Sequence, residues 1–351
     1  MIVTLPDTSA SKIEVALTDL RHTGGAVALG RVLTLVIDTW EDDNEQAITA
    51  ANEASHEHPC RVLVVLRGAA SAEPRVDAEI RVGGDAGASE VIVLRLHGEL
   101  REHADAMVLP LLLPDAPVVT WWPDRTPEVP ADDPIGQMSQ RRITDAAAQA
   151  HPVAELEKRR RGYAGGDTDL AWTRLTLWRG LLTAALDQPP FEKVQAVRVA
   201  GEAASPSTEL LAAWLGEYLR CPVTRESNSG PGIVAVTLER RSGNVEMIRP
   251  DGRIGTLNQP GQPERRVALP RRRLSECLAE ELRRLDADEV YARALLKGLP
   301  RLEKASRPRA SRRTAAKVTA AEQRTEEATE RAASLTPGAT PSDERLGPDA
   351  E

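Results

Sequence analysis

Hydrophobic and polar positions alternate along this chain in two periods. Residues 32–37 (VLTLVI), 61–66 (RVLVVL) and 91–96 (VIVLRL) are nearly unbroken apolar runs of strand length, the pattern of strands buried on both faces. Residues 76–82 (VDAEIRV) alternate and predict a half-exposed strand. Residues 117–122 (PVVTWW) and 141–144 (RRIT) predict two further short strands. Between them, Ile13, Leu17 and Leu20 recur at helical spacing behind a cap at Thr8 or Ser9 and ahead of Gly24-Gly25. Residues 42–55 predict a helix with acidic residues in its first turn, and 99–109 another.

The second half repeats the mixture. Residues 152–161 predict a charged helix. Residues 167–186 predict one long helix capped at Asp167 or Thr168, apolar on one face (Trp172, Leu175, Trp178, Leu182) and on the other (Leu170, Leu177, Leu181). A helix apolar all round is expected to be buried all round. A strand at 194–199 is followed by Ser205-Pro206-Ser207-Thr208, a hydroxyl cap with proline at the first helical position, and by a helix with Leu211, Trp214, Leu215 and Tyr218 on one side, ended by Cys221-Pro222. Strands follow at 233–238 and 245–248 around the turn Ser242-Gly243-Asn244, then near 253–257 and 265–269, with helices at 274–285 and 289–296. The fold class is therefore α/β of the mixed α+β kind: two domains, 1–150 and 151–300, each a mixed sheet packed with helices. Residues 301–351 lose their large apolar side chains and are expected to be a disordered tail, basic first and acidic later.

Composition narrows the function. Aromatics are 3% of the chain, with a single Phe, so the six tryptophans stand out. A net charge of -8 gives no general attraction to nucleic acid or to anionic membrane. The runs Arg159-Arg160-Arg161 and Arg271-Arg272-Arg273 lack interleaved aromatics and are read as solvated faces or protein contacts. No apolar stretch approaches the roughly 20 residues of a membrane span, and no secretory leader opens the sequence. Three widely spaced cysteines (Cys60, Cys221, Cys277) fit a reduced, cytoplasmic compartment.

Candidate chemistry is sparse. His56-Glu57-His58 has no metal-site spacing, so no metal is expected. The glycine clusters around 24–30 and 83–87 are not phosphate loops, and no nucleophile motif occurs, so neither a cofactor nor a catalytic residue is assigned. Asp42-Asp43 and Asp132-Asp133 read as capping positions. Ser205, Ser207 and Thr208, at a helix start after a strand, could hold an anion such as a sugar phosphate, although capping accounts for them equally well. Trp121-Trp122-Pro123-Asp124 is the sharpest local feature: neighbouring strand residues point to opposite faces, so either one indole is an interface anchor or both are covered within the domain.

Two strings resemble a known family. Residues 109–123 (LPLLLPDAPVVTWWP) and 166–179 (GDTDLAWTRLTLWR) are similar to segments of the OpcA family, the assembly factors of glucose-6-phosphate dehydrogenase. The resemblance covers about 1–299 and implies a non-catalytic activator. Such a protein binds the dehydrogenase, promotes its active oligomer, and supports the oxidative pentose phosphate pathway and NADPH supply. The resemblance does not locate the interface; the candidate partner-binding residues are Trp121, Trp122, Pro123, Asp124, Asp167, Trp172, Arg174, Trp178 and Arg179, which lie in or beside the two strings. Photosynthetic relatives are linked to redox control through cysteines, but no cysteine motif of the family matches Cys60, Cys221 or Cys277.

Overall fold

The computed structural model describes residues 1–24, 32–40, 44–82 and 90–306. The expected turns at 25–30 and 83–87, the pair Asp42-Asp43 and the tail beyond 306 lie outside these residues. Within them the chain is mixed α/β, with two sheets packed against helices.

The first sheet contains β1 (Ile2–Leu5), β2 (Leu33–Thr39), β3 (Cys60–Arg67), β4 (Arg75–Val82), β5 (Glu90–His97), β6 (Val118–Trp122), β7 (Arg141–Thr144) and β8 (Asp167–Asp169), in the order β1-β4-β5-β3-β2-β6-β7-β8. The strands from β5 to β8 in that order are parallel, while β4 runs antiparallel against β5. Successive parallel strands β2, β3 and β5 step outward to one side; β6, β7 and β8 step outward to the other. The winding therefore reverses between β2 and β6.

The apolar runs predicted for β2, β3 and β5 are buried on both faces because helices cover both. On one face, α2 (Asn44–Ser55) packs with Ala47, Ile48, Ala51 and Ala54 against Leu35, Ile37, Val62, Val64 and Trp121. On the other, α1 (Ala10–Gly24), α3 (Ala104–Val108) and α4 (Pro134–Gln137) bring Ile13, Leu17, Val108 and Ile135 against Val36, Leu63, Val65 and Leu94.

After α5 (Pro152–Arg161), the segment expected as one helix divides in three. Asp167–Asp169 is the edge strand β8, and α6 (Leu170–Thr173) and α7 (Thr176–Leu186) are separate helices. The cap is Asp169, whose carboxylate accepts the Ala171 N–H at 2.8 Å, and not Asp167 or Thr168. Trp172, Leu175, Trp178 and Leu182 are core, but Leu177 is exposed, so the helix is not buried all round.

The second sheet has the order β10-β9-β11-β12-β13-β14, formed by β9 (Ala196–Glu202), β10 (Val223–Asn228), β11 (Ile233–Glu239), β12 (Val245–Ile248), β13 (Ile254–Asn258) and β14 (Arg265–Ala268). Helix α8 (Pro206–Leu219), capped by Ser205, joins α7, α10 (Glu289–Arg293), a π-helical turn (Ala294–Gly298) and α11 (Leu299–Ser306) around one core with this sheet. Its strands alternate buried and uncovered positions, so only one face is packed.

Helix α9 (Leu274–Arg283) follows the second sheet in sequence but returns to the first. Cys277, Leu278, Ala279 and Leu282 enter the core beneath α2. The return is fixed by a buried ion pair: Arg141 on β7 donates to Glu281 through Nε at 3.0 Å and through Nη2, and its Nη1 donates to the Asp286 carbonyl at 2.6 Å. Thr173 also donates to Glu281, so α9, β7 and α6 share one carboxylate.

Candidate functional site

In an open α/β sheet, the crevice at the carboxyl ends of the strands, where the winding reverses, is the usual ligand site. A dinucleotide-binding sheet places a glycine-rich turn there, so that backbone amides reach phosphate. In this chain the segment leaving β2 reads Asp38-Thr39-Trp40-Glu41-Asp42-Asp43, with no glycine and four carboxylates. Asp38 is buried in a fork with Arg67, Nε to Oδ1 at 2.9 Å and Nη2 to Oδ2 at 2.8 Å. The indole N–H of Trp122, on β6, donates to Asp38 Oδ2 at 3.3 Å. Burial opposes the Arg67 charge, but Asp38 more than offsets it and holds Arg67 above the ordinary guanidinium range. The ion pair thus ties β2 to the end of β3, and the Trp122 indole carries the same carboxylate across to β6.

Just outside this bridge stands Trp40, 37% exposed. The Arg125 guanidinium lies 4.4 Å from its ring centroid and that of Arg101 5.6 Å, two cation–π contacts on one indole. The backbone N–H of Trp40 donates to Asp124 Oδ2 at 3.4 Å, while Asp124 Oδ1 accepts the backbone N–H of Arg125 at 2.8 Å. The guanidinium contacts flank the indole and leave part of it uncovered.

Two cavities continue from here. One of about 330 Å³ is lined by Trp121, Pro123, Asp124, Asp145 and Arg174 together with the start of α2. The other, of about 370 Å³, has Arg174, Trp178, Arg249, Arg271 and Arg272 on its walls and the start of α8 at its edge. Arg174 lines both. It forks onto Asp145, Nη1 to Oδ1 at 2.7 Å and Nη2 to Oδ2 at 2.6 Å. Close by, Asp169 is fully buried and accepts the Thr144 hydroxyl at 2.7 Å and the Ala146 N–H at 3.0 Å. Burial, and then the neighbouring Asp145 charge, push its carboxyl up to about 7.

The predicted residues separate into two sets. Pro123, Asp124 and Arg174 reach the cleft. Trp121 and Trp122 point to opposite faces as expected, yet both are covered, Trp121 under α2 and α9 and Trp122 against Gly136 of α4. The expectation that one indole anchors an interface directly is therefore corrected: helices cover both faces of β6. Trp172 is core, its indole N–H on Asp288 at 2.8 Å and its ring under the Arg179 guanidinium at 3.9 Å. Trp178 is core beneath Arg249 at 5.1 Å. Asp167 is buried against Arg142 at 2.5 Å. Of these, Trp121 and Trp178 form part of the cavity walls, whereas Trp122, Asp167 and Trp172 line neither cavity.

Two of the three hydroxyls proposed for an anion have structural partners, and the third is buried without one. Ser205 Oγ accepts the Thr208 N–H at 3.2 Å, Ser207 Oγ donates to the Ala171 carbonyl at 2.8 Å, and Thr208 is buried. The residues missed in the sequence are Trp40 and Arg249; Arg174 was a candidate, and Arg271 and Arg272 belong to the arginine run read as a solvated face or protein contact. Trp40 could have been found as a lone aromatic at the end of an apolar strand; Arg249 carried no local signal. Among the described residues no three His, Cys, Asp or Glu side chains converge as a metal ion requires, and no helix is long and apolar enough to cross a membrane.

Comparison with known proteins gives two family matches. Residues 51–161 match the family described as the N-terminal domain of the glucose-6-phosphate dehydrogenase subunit, and residues 165–295 match the family described as its C-terminal domain. No curated protein matches the chain. Among solved structures, an oxidoreductase from Sinorhizobium meliloti is similar over 78% of this chain and 96% of its own, at 11% identity and a TM-score of 0.42. A biliverdin reductase in complex with biliverdin and NADP+ from Synechocystis sp. PCC 6803 is similar over 78% of this chain and 98% of its own, at 10% identity and a TM-score of 0.40.

Proposed function

The chain belongs to the OpcA family of glucose-6-phosphate dehydrogenase assembly proteins, and from that premise we propose that it is a non-catalytic partner that binds the dehydrogenase and favours its active oligomer. A protein that binds one state of an enzyme more tightly than another shifts the population toward that state by mass action, with no chemistry of its own. In a cytoplasmic setting this would sustain the first oxidative step of the pentose phosphate pathway and the NADPH it yields.

The observation that carries the reading is the state of the strand-end crevice. Where a phosphate-binding turn would stand, the chain has the carboxylate of Asp38 held by Arg67 and Trp122, a group that repels a pyrophosphate. Beside it stands Trp40 between two guanidinium groups, the residue types that dominate binding energy at protein interfaces. We assign the contact surface to Trp40, Arg101, Pro123, Asp124, Arg125 and Arg174. Trp121, Trp122 and Trp178 act beneath it as supports, while Asp167, Trp172 and Arg179 hold the neighbouring core together.

The test mixes the purified dehydrogenase with this protein and follows oligomer mass by light scattering together with turnover. A rise in oligomer mass and activity, both weakened by Trp40→Ala, is the expected result. A dehydrogenase whose mass and turnover are unchanged at micromolar concentrations of this protein would remove the reading.

A further inference from the structure

The larger cavity holds more positive charge than its own carboxylates neutralise. Four arginines line it, Arg174, Arg249, Arg271 and Arg272, against a single acidic residue, Glu202. Arg174 is neutralised by Asp145 and Arg272 by Glu280. Arg249 has no carboxylate partner among the described residues. Its Nη1 donates to the Leu269 carbonyl at 3.1 Å and its Nη2 to the Ile233 carbonyl at 2.9 Å, while its Nε has no partner and the residue is 4% exposed. Arg271, exposed at the rim, has no ion pair among the described residues either. Glu202 is exposed, with Oε2 accepting the Gly232 N–H at 3.1 Å.

A buried cation facing a second cation is expensive unless an anion joins them. Burial first, and then Arg271, lower the Arg249 guanidinium to about 10. The positive end of the α8 dipole adds to the same field. The hydroxyls of Ser205 and Ser207 hold α8 in place and are not needed as ligands. Trp178, Ile233 and Pro270 supply apolar wall, and about 370 Å³ is far more than one inorganic anion fills.

We propose that this cavity binds a small phosphomonoester, its phosphate drawn to Arg271 and Arg249 at the start of α8 and its organic part lying against Trp178 and Pro270. The cavity shares Arg174 with the surface assigned to the dehydrogenase, but the residues tested, Arg271 and Arg249, lie outside that surface and the test uses this chain alone, so it stands or falls apart from dehydrogenase binding. Calorimetric titration of the full chain at constant ionic strength would compare glucose 6-phosphate, inorganic phosphate and glucose as an uncharged control. The expected result is saturable binding of glucose 6-phosphate, weaker binding of inorganic phosphate and none of glucose. Arg271→Gln, at an exposed side chain with no structural bond to lose, should weaken glucose 6-phosphate about tenfold, the loss of one charge-assisted contact. Arg249→Lys is the second variant, with circular dichroism reporting whether the fold survives the loss of the two carbonyl bonds. Equal affinity for inorganic phosphate and glucose 6-phosphate would overturn the metabolite assignment and leave an adventitious ion only. No saturation in the millimolar range, or an Arg271→Gln protein that binds as the parent does, would overturn the site.

Discussion

Trp40 illustrates how a single side chain can be costly to uncover and still be kept. Its indole is flanked by the Arg125 and Arg101 guanidinium groups, and its backbone N–H is held by Asp124. Trp40→Ala should therefore leave thermal unfolding within about 1 kcal/mol of the parent, since it opens no cavity, yet weaken association with the dehydrogenase by about 2 kcal/mol or more, readable as a Kd raised some thirtyfold in a pull-down titration. Asp169 has the opposite character, buried and unable to reach solvent. Its folded-state pKa, about 7, stands above the ordinary carboxylate value of about 4. The neutral form is thus favoured by the fold, so its contribution to stability is complete below about pH 4 and lost as pH rises toward 7. Urea midpoints measured across that window should fall less steeply for Asp169→Asn than for the parent; parallel profiles would place the titration elsewhere. The thiols follow the same burial argument. Cys60 and Cys277 share one core, and burial pushes Cys277 up to about 11. A thiol reagent should label neither of them in the folded protein and reach both once urea unfolds it.

At the scale of elements, stability concentrates where chain segments return to earlier ones. Glu281 on α9 serves Arg141 and Thr173 together. Removing it leaves a buried guanidinium without its counter-charge, so Glu281→Ala should cost about 3–5 kcal/mol in chemical denaturation. Gly298, in the π-helical turn, lies so close to α8 that an added Cβ would meet the Ala213 carbonyl oxygen at 2.5 Å. Gly298→Ala should cost about 1–3 kcal/mol by pushing α8 away. The elements legible in the sequence are those whose signal is their own apolar content: β2, β3 and β5, and the amphipathic helices. Strand β8 was not legible, because Asp167, Thr168 and Asp169 are polar and owe their burial to Arg142, Thr144 and backbone amides. Edge strands β1 and β10 were missed because only one neighbour pairs with each, and their residues stay half-exposed. The candidate site was hardest of all. Its residues come from positions 40, 101, 124, 174, 249 and 271, with no common period, and only the tertiary fold brings them to the same two cavities and the surface beside them.

For the whole molecule, the two sheets form one compact unit from Met1 to Lys304. We propose a boundary near residue 150 between the two layered halves, without independent folding of either. A fragment ending at residue 164 lacks β8, Leu170 and all of α9, and leaves uncovered the face of the first sheet that Cys277, Leu278 and Leu282 pack against. The full chain should unfold in one calorimetric transition, and that fragment should lack a cooperative transition. The return of α9 also sets an order on birth. Strands β1 to β7 leave the ribosome well before residue 283, and at roughly 5–20 residues per second the wait is on the order of ten seconds. For that interval a nascent chain carries a mixed sheet with one apolar face covered only in part, by α2, and a helix made more than a hundred residues later completes its cover.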